Sequence, residues 1–198
     1  MNDDTRQSTS IPVALIYGST REGRFCDKVG TWAAGEIDAR VEFTLDVIDP
    51  AALALPDQHR RQQSSDLELL RERVARADAF VVVTPEYNHS YPAALKFLID
   101  SVYSEWQAKP VSFVSYGGVS GGLRAVEHLR LVFAELHTVT VRSGVSFANA
   151  WSQFDDKGRL AESSRAHRDM AKMLEELKWW ATALREARRA SPYGRAAA

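Results

Sequence analysis

The chain has 198 residues, of which 45% are hydrophobic and 26% are charged, a usage typical of a folded globular protein rather than a disordered or fibrous one. This length suits one α/β domain with a complete hydrophobic core. The formal net charge of -1 leaves no excess of Lys and Arg for a phosphate backbone, which disfavours nucleic acid as a partner.

Two further features narrow the class of protein. No apolar run approaches the roughly 20 residues that span a bilayer, and the polar start of the chain lacks the apolar core of a secretion signal. We therefore expect a cytoplasmic protein with no membrane partner. The one cysteine, Cys26, excludes an internal disulfide and a cysteine-cluster metal site.

The first half of the chain alternates between strand and helix patterns. A β-rich apolar run from Pro12 to Tyr17 predicts a strand that is buried on both faces, and apolar residues at helical spacing predict a helix from about Phe25 to Ala39. Apolar and polar residues alternate from Val41 to Ile48, which indicates a strand at the sheet edge. The stretch from Asp49 to Ser65 has no sustained period and is interpreted as an exposed loop of little functional content.

The second half continues the same alternation. Apolar spacing predicts a short helix through Leu67, Leu70 and Val74. The predicted strands that follow are a central one at Ala79 to Val83, one at Pro110 to Tyr116 and one at Thr138 to Phe147, and the predicted helices are those from Pro92 to Tyr103, from Leu123 to Leu136 and from Met170 to Leu184.

Five strand–helix repeats predict a flavodoxin-like α/β domain. Such alternation favours a doubly wound five-stranded parallel sheet with helices on both faces, in three α/β/α layers. We place this domain at residues 11–187, between a flexible segment at 1–10 and a flexible tail at 188–198. Ligands of such folds bind beyond the carboxyl ends of the strands, near the point where the strand order reverses. The loops after the first, third and fourth strands should therefore meet at one site.

The loop after the first strand reads G-S-T-R-E-G-R and lies at the start of a helix. Its hydroxyl groups, backbone N–H groups and guanidinium groups suit a phosphate, because helix amino termini favour anions. It matches neither the Rossmann nor the P-loop glycine pattern. A plain turn with a helix cap explains the loop as well as phosphate binding does. The phosphate-binding candidates are Ser19, Thr20, Arg21 and Arg24.

The other two loops read T-P-E-Y-N-H-S-Y-P and S-Y-G-G-V-S-G-G. In the first, prolines restrict the backbone, and tyrosine side chains offer surfaces for a flat ring. In the second, four glycines permit a ligand to approach the backbone closely. A polar turn and a flexible connection remain the alternatives. The candidates for contact with the ring are Pro85, Glu86, Tyr87, Asn88, Ser115, Tyr116, Gly117 and Gly118.

These three loops, with P-A-A-L-K after the second and L-R-A after the third, together resemble the NAD(P)H-dependent FMN reductase family in order and approximate spacing. The resemblance covers about Pro12 to Phe147 and implies a non-covalently bound FMN. It implies that Ser19, Arg21 and Arg24 hold the FMN phosphate, that Pro85 to Asn88 border the ribityl chain and isoalloxazine, and that Tyr116 to Gly118 close the site. Two departures from the family pattern are the run Arg24, Phe25 and Cys26, of which Phe25 is also a binding candidate, and Phe97 in L-K-F-L-I-D.

The resemblance implies a reaction in two steps. NADPH or NADH delivers hydride to bound FMN, and a small acceptor, which could be flavin, quinone, an azo compound or chromate, then takes the electrons. The cofactor performs the redox chemistry, so we assign no catalytic acid or base, no metal and no catalytic role for the Cys26 thiol. The alternatives are a flavodoxin-like electron carrier and a non-catalytic protein, with or without flavin.

The resemblance also implies a homodimer, sometimes paired into a tetramer, with the flavin site near a subunit boundary. Aromatic residues are enriched in interfaces, although core packing explains them equally well. The candidate interface residues are Trp106, Trp179 and Trp180.

Overall fold

The computed structural model describes residues 10–55, 64–161 and 164–194. Within these residues it has six strands, five α-helices and three short 3-10 turns. The strands are β1 (Ile11–Tyr17), β2 (Phe43–Ile48), β3 (Ala79–Pro85), β4 (Pro110–Gly117), β5 (Val139–Thr140) and β6 (Val145–Ala148). The helices are α1 (Cys26–Asp38), α2 (Ser65–Arg76), α3 (Ala93–Asp100), α4 (Leu123–Glu135) and α5 (Arg165–Ala190).

All strands of the sheet are parallel, in the order β2-β1-β3-β4-β5. Strand β6 also pairs with β4, but nearer the carboxyl end of β4 than β5 does. The strand order reverses at β1, because the chain first crosses to β2 and then returns to the other side of β1 as β3. Every residue of β3 is buried, as its uninterrupted apolar sequence predicts for a strand covered on both faces. The predicted parallel sheet with helices on both faces is confirmed.

Two hydrophobic cores cover the two faces of the sheet. Helices α1 and α5 pack on one face, where Val29, Ile37 and Leu177 are among the buried residues. Helices α2, α3 and α4 pack on the other face, where Leu98 and Phe133 are among the buried residues. The three α/β/α layers follow from these two apolar contacts, since each helix carries one apolar stripe.

The fifth strand is interrupted, and the prediction of one strand from Thr138 to Phe147 was wrong in this respect. Thr140 pairs with Val111 and Val145 pairs with Val114, so four residues on this side, 141–144, face two on β4. The Arg130 side chain donates hydrogen bonds to the backbone oxygens of residues 141 and 142, at 2.9 and 3.2 Å. The side chain therefore satisfies two carbonyl groups that leave the ladder at the break.

The outer parts of the predicted domain differ in detail from the structure. Strand β2 begins at Phe43 rather than Val41, whose side chain is 95% exposed. The expected loop after β2 includes a 3-10 turn at Pro50–Ala52, and its residues 56–63 lie outside the described part of the chain. The expected tail at 188–198 overlaps α5, which continues to Ala190. Residues 1–9 of the expected amino-terminal segment and residues 195–198 also lie outside the described part. Among the described helices, none combines the length and apolar character needed to cross a membrane.

Candidate functional site

The three predicted loops meet at the carboxyl edge of the sheet. Parallel pairing places Tyr17 beside Val83 and Pro85 beside Tyr116, so β1, β3 and β4 end side by side. The Ser19 Oγ lies 3.0 Å from the Tyr87 hydroxyl and connects the first and second loops. The Glu86 backbone N–H donates to the Tyr116 carbonyl at 3.1 Å and connects the second loop to β4. The predicted convergence of the loops is confirmed.

The first loop starts at a residue that must be glycine. The Gly18 backbone N–H donates to the Val83 carbonyl at 2.7 Å, and a Cβ atom at Gly18 would lie 2.6 Å from that oxygen. This close approach turns the chain back over the end of β3, where the Ser19 side chain becomes fully buried. The next two residues, Thr20 and Arg21, are exposed at the rim. The loop thus offers one buried hydroxyl group beneath an exposed guanidinium group.

The Arg24 side chain forms ion pairs and a hydrogen bond with other groups of the protein. Its guanidinium group forms a two-point ion pair with Asp49, at 2.8 and 2.5 Å, and a further ion pair with Asp27 at 2.8 Å. It also donates to the Ser19 carbonyl. The hydrogen bonds that the guanidinium group donates to Asp49 raise the pKa of Arg24 above its ordinary value. Because two carboxylates compensate its charge, Arg24 braces the first loop against the residue that follows β2.

Arg21 is arranged differently from Arg24. Its guanidinium carbon lies 4.4 Å from the centroid of the Tyr87 ring, over the ring face. Within the described residues, no carboxylate or other acceptor pairs with this guanidinium group. Among the described residues, therefore, the positive charge of Arg21 at the exposed rim of the loops is not compensated by a carboxylate.

The second loop is a tight hairpin turn. The backbone groups of Tyr87 and Ser90 form both reciprocal hydrogen bonds, at 2.8 and 3.1 Å. Asn88 and His89 between them have φ angles of 49° and 73°, which is the left-handed pattern of a type I′ turn. Asparagine tolerates this conformation better than most residues. The turn therefore fixes the direction in which the Tyr87 side chain projects from the backbone.

Glu86 connects the second loop to α4. Its Oε2 atom accepts from the Ser120 hydroxyl at 2.8 Å and from the Arg124 backbone N–H at 3.2 Å, and its Oε1 atom pairs with the Arg124 guanidinium at 2.5 Å. Burial would raise the pKa of Glu86, but these hydrogen bonds and the Arg124 charge hold it below its usual range. Glu86 is consequently ionised at neutral pH and fixes the rim rather than acting as a proton donor.

The third loop depends on two glycines with left-handed backbones. Gly121 and Gly122 have φ angles of 60° and 84°, and a Cβ atom on either would lie within 3.0 Å of neighbouring atoms. The Ser115 side chain donates to the Gly121 carbonyl at 2.8 Å and holds the turn from the end of β4. Gly117 and Gly118 stand at the start of this loop, where the backbone carries no side chains.

An aromatic cluster lies near the base of the loops. The Phe25 ring lies 5.9 Å from the Tyr116 ring and 5.7 Å from the Phe154 ring, centroid to centroid. Burial raises the pKa of the Tyr116 hydroxyl and of the Cys26 thiol. The Cys26 thiol is buried and donates to the Val83 carbonyl at 3.8 Å, in agreement with a packing role.

Several residues of the site were missed in the sequence interpretation. Asp49 lies in the segment interpreted as an exposed loop, Ser120 lies within the third loop but was not singled out, Arg124 follows that loop, and Trp151 follows the last strand. The carbonyl of Gly118 accepts from the Asn149 backbone N–H at 2.9 Å, which brings this fourth segment to the rim. Of these residues, only Asp49 could have been found from the sequence, because it directly follows β2 and so lies at the same edge of the sheet as the three loops.

The histidines of the rim form hydrogen bonds with neighbouring protein groups. The Arg124 guanidinium lies 3.1 Å from Nδ1 of His89, and the Ser90 hydroxyl lies 2.9 Å from Nδ1 of His128. The described part of the chain contains no group of three or more His, Cys, Asp or Glu side chains arranged to hold a metal ion. The rim therefore gives no positive sign of a metal centre.

Comparison with known proteins assigns the family. A family model described as NADPH-dependent FMN reductase matches residues 11–152. The chain belongs to this family. Over 185 residues it is 30% identical to an NAD(P)H-dependent FMN reductase of Pseudomonas aeruginosa, a match covering 90% of this chain and 99% of that protein. Over 163 residues it is 32% identical to a quinone reductase of Pseudomonas putida, a match covering 77% and 86% of the two chains.

Two further comparisons define the extent of the likeness. An NAD(P)H-dependent FMN reductase of Schizosaccharomyces pombe is 35% identical over 127 residues, a match that spans 56% of this chain and 60% of that relative's length. The structure of FerB, a flavoenzyme NAD(P)H:(acceptor) oxidoreductase from Paracoccus denitrificans, superimposes with a TM-score of 0.71 at 21% identity, over 87% of this chain and 98% of that one. The predicted flavodoxin-like fold and FMN reductase family are confirmed, and with them the predicted class, an FMN-dependent oxidoreductase that uses NAD(P)H.

Proposed function

We propose that the three loops form a cleft that binds FMN non-covalently and that the protein passes hydride from NADPH or NADH through this FMN to a small acceptor. The observation that carries the placement of FMN is the uncompensated Arg21 charge above the buried Ser19 hydroxyl, at the amino end of α1. Anions are favoured at helix amino termini, and a guanidinium group matches the geometry of a phosphate.

The residues of the cleft fit the parts of FMN. Ser19, Thr20 and Arg21 would hold the phosphate, whereas Arg24 would hold the loop itself. Pro85 to Asn88 and Ser115 to Gly118 would border the ribityl chain and the ring. A Cβ atom at Gly117 would lie 3.3 Å from the Gly122 backbone nitrogen and 3.6 Å from the Glu86 side chain, so a larger residue would disturb the contact between the second and third loops at the proposed wall of the ring site.

Bound FMN supplies the hydride chemistry, and the protein side chains bind and orient. Arg21 neutralises phosphate charge, the Ser19 to Tyr87 hydrogen bond keeps the first two loops together, and Glu86 keeps the second loop on α4. The aromatic side chains of Phe25 and Tyr116 form an apolar base near the loops. None of these roles requires a proton to move at a protein side chain.

The acceptor belongs to the class of small planar oxidants. The family comprises FMN reductases, and a relative of this chain is a quinone reductase, so a free flavin or a quinone is the proposed acceptor. The cytoplasmic location and the homodimer or tetramer stay predictions. Trp106 is fully buried in the core and contributes nothing to an interface, whereas the side chain of Trp179 on α5 is 63% exposed.

The test is anaerobic mixing of FMN-loaded protein with NADPH and, separately, with NADH. We expect the absorbance of oxidised flavin to fall rapidly with at least one donor and to return when a quinone is added. Free FMN at the same concentration is the control for the uncatalysed reaction. Bound flavin that neither donor bleaches would contradict the enzyme and favour an electron carrier or a binding protein.

A matched pair of variants tests the place of binding. Gly117→Val puts a side chain into the proposed ring wall and should abolish FMN binding, whereas Gly35→Ala on the exposed side of α1 should leave it unchanged, because a Cβ atom at Gly35 meets nothing within 4 Å. Unchanged FMN affinity in a folded Gly117→Val protein would show that the ring binds elsewhere.

A further inference from the structure

Tyr87 contacts two side chains of the first loop, which a residue that only stacks on a flat ligand ring would not do. Its hydroxyl group lies 3.0 Å from Ser19 Oγ, and one face of its ring is covered by the Arg21 guanidinium at 4.4 Å. The same Ser19 Oγ accepts the Arg21 backbone N–H at 3.3 Å. Ser19, Arg21 and Tyr87 thus form one connected unit that spans two loops.

We propose that Tyr87 is a positioning residue that presents the Arg21 guanidinium to the FMN phosphate, and so sets the preference of this protein for FMN over riboflavin. This inference rests on the proposed function, and it assigns the phosphate selectivity in part to the second loop. The ring face attracts the cation within about 6 Å of its centroid. The hydroxyl group orients the ring by its contact with Ser19.

The physical need for such a residue follows from the nature of arginine. An exposed Arg side chain loses rotamer entropy when it is fixed on a ligand. Stacking on Tyr87 removes part of that freedom before the ligand arrives, and the guanidinium edge keeps its N–H groups available, since stacking uses only the face. The resulting preorganisation raises affinity for the phosphate alone.

Tyr87 can serve in this way because its own position is fixed. The reciprocal hydrogen bonds between Tyr87 and Ser90 close the turn, and Pro85 precedes it at the end of β3. Arg24, the other guanidinium of the first loop, is held by Asp49 and Asp27 instead. The two arginines therefore have different roles: Arg24 holds the conformation of the first loop, and Arg21 contacts the phosphate.

The experiment compares FMN and riboflavin affinities of the flavin-free full-length protein by fluorescence titration. Riboflavin lacks the phosphate, so the ratio of the two affinities reports the phosphate contact and cancels general damage to the cleft. Arg21→Ala should lower this ratio about tenfold or more. Tyr87→Leu should lower it about three- to tenfold, because the guanidinium loses its aromatic support.

Two other variants separate the ring from the hydroxyl group. Tyr87→Phe keeps the ring face and should retain the ratio within about twofold, even if both flavins bind more weakly. Tyr87→Leu in the Arg21→Ala protein should change the ratio no further, because Tyr87 acts through Arg21. Tyr103→Leu, at a tyrosine whose side chain is 56% exposed, controls for the loss of a tyrosine as such.

The outcomes are distinct. If Tyr87→Leu weakens FMN and riboflavin in equal proportion, or lowers the ratio further in the Arg21→Ala protein, Tyr87 does not position Arg21 and the inference is overturned. If the unaltered protein binds neither flavin, the proposed function fails, and this inference fails with it. The salt dependence gives a second measurement: the decline of FMN affinity with rising salt should be shallower in Tyr87→Leu than in the unaltered protein.

Discussion

The Glu86 carboxylate caps helix α4 from a different loop, because its Oε2 atom accepts the Arg124 backbone N–H at 3.2 Å. The helix begins after Gly122, which has no side chain to serve as a cap. A carboxylate near the first turn also interacts favourably with the helix dipole. The second loop is therefore attached to the end of a helix that packs in the core.

The first prediction concerns this cap. Glu86→Gln should lower the free energy of unfolding by about 1–2 kcal/mol, since it removes the ion pair with Arg124 and weakens a charged helix cap. Glu127→Gln on the same helix, where the side chain is 73% exposed, should have little effect. Chemical denaturation at pH 7 measures both. Equal stabilities of the two variants would contradict the capping role.

The cap also predicts a pH dependence. The folded-state pKa of Glu86 is lowered, so its contribution to stability is present above the unfolded pKa of about 4.3 and is lost as the pH falls through the folded value. The stability difference between the unaltered protein and Glu86→Gln should therefore be constant near pH 7 and shrink below about pH 4. A difference that grows on acidification would contradict the ionised cap.

The third prediction separates the two arginines of the first loop. Arg21→Ala should weaken FMN more than riboflavin, because Arg21 contacts only the phosphate in this scheme. Arg24→Ala should weaken both flavins equally and lower the melting temperature, because it leaves Asp49 unpaired and releases the Ser19 carbonyl. Flavin titration and thermal unfolding measure these effects. The reverse pattern would place Arg24 on the phosphate.

The fourth prediction uses two glycines of the same helix. A Cβ atom at Gly30 would lie 2.4 Å from the Tyr17 ring, which is buried against α1, so Gly30→Ala should destabilise the protein by about 1–3 kcal/mol. A Cβ atom at Gly35 meets nothing within 4 Å, so Gly35→Ala should stabilise by about 0.5–1 kcal/mol through helix propensity. Opposite signs in denaturation are the expected result, and a stabilising Gly30→Ala would show that Tyr17 moves freely.

The fifth prediction concerns Lys109, a buried lysine directly before β4, at the edge of the sheet opposite the three loops. Lys109 Nζ donates to the carbonyls of Val74 and Ala75 at 2.8 and 2.9 Å, at the end of α2. Burial, with the Arg188 charge, lowers the pKa of Lys109 to about 8. The unfolded chain holds this proton up to about pH 10.4, so stability should rise with pH between about 8 and 10.

The variant Lys109→Met isolates this effect. The stability difference between the unaltered protein and Lys109→Met should become more favourable to the unaltered protein as the pH rises from 7.5 to 9.5, by at most about 1.4 kcal/mol per pH unit. Lys157→Met, at an exposed position, should change the unfolding free energy little. A difference for Lys109→Met that does not vary with pH would contradict the burial of a titrating ammonium group.

The strands and the meeting of the loops were predictable because their causes are local. The β-branched apolar run at Ala79 to Val83 favours a strand covered on both faces, and the loops that follow such strands lie at one edge of a parallel sheet. The resemblance of the loop motifs to the FMN reductase family then indicated FMN as the ligand. The fold and the contact between the three loops follow from these features.

Other parts of the site depend on partners distant in sequence. Arg24 pairs with Asp49 across 25 positions, and nothing in either segment alone distinguishes a phosphate-binding arginine from a paired one. The interruption of the fifth strand did have a local signal in Ser143 and Gly144, because a glycine inside a strand pattern often marks a break in regular pairing. The burial of Trp106 depends on packing between helices, which periodicity does not specify.

The strand order has a consequence for how the chain folds. No neighbouring strands are joined by a hairpin, and every ladder forms only after the chain has crossed over through intervening structure. Contacts between residues far apart in sequence make folding slow, because loop closure must precede the gain from pairing. During synthesis β3 emerges after its neighbour β1 but before β4, so the edge of β3 that pairs with β4 stays open to association with other chains until β4 arrives.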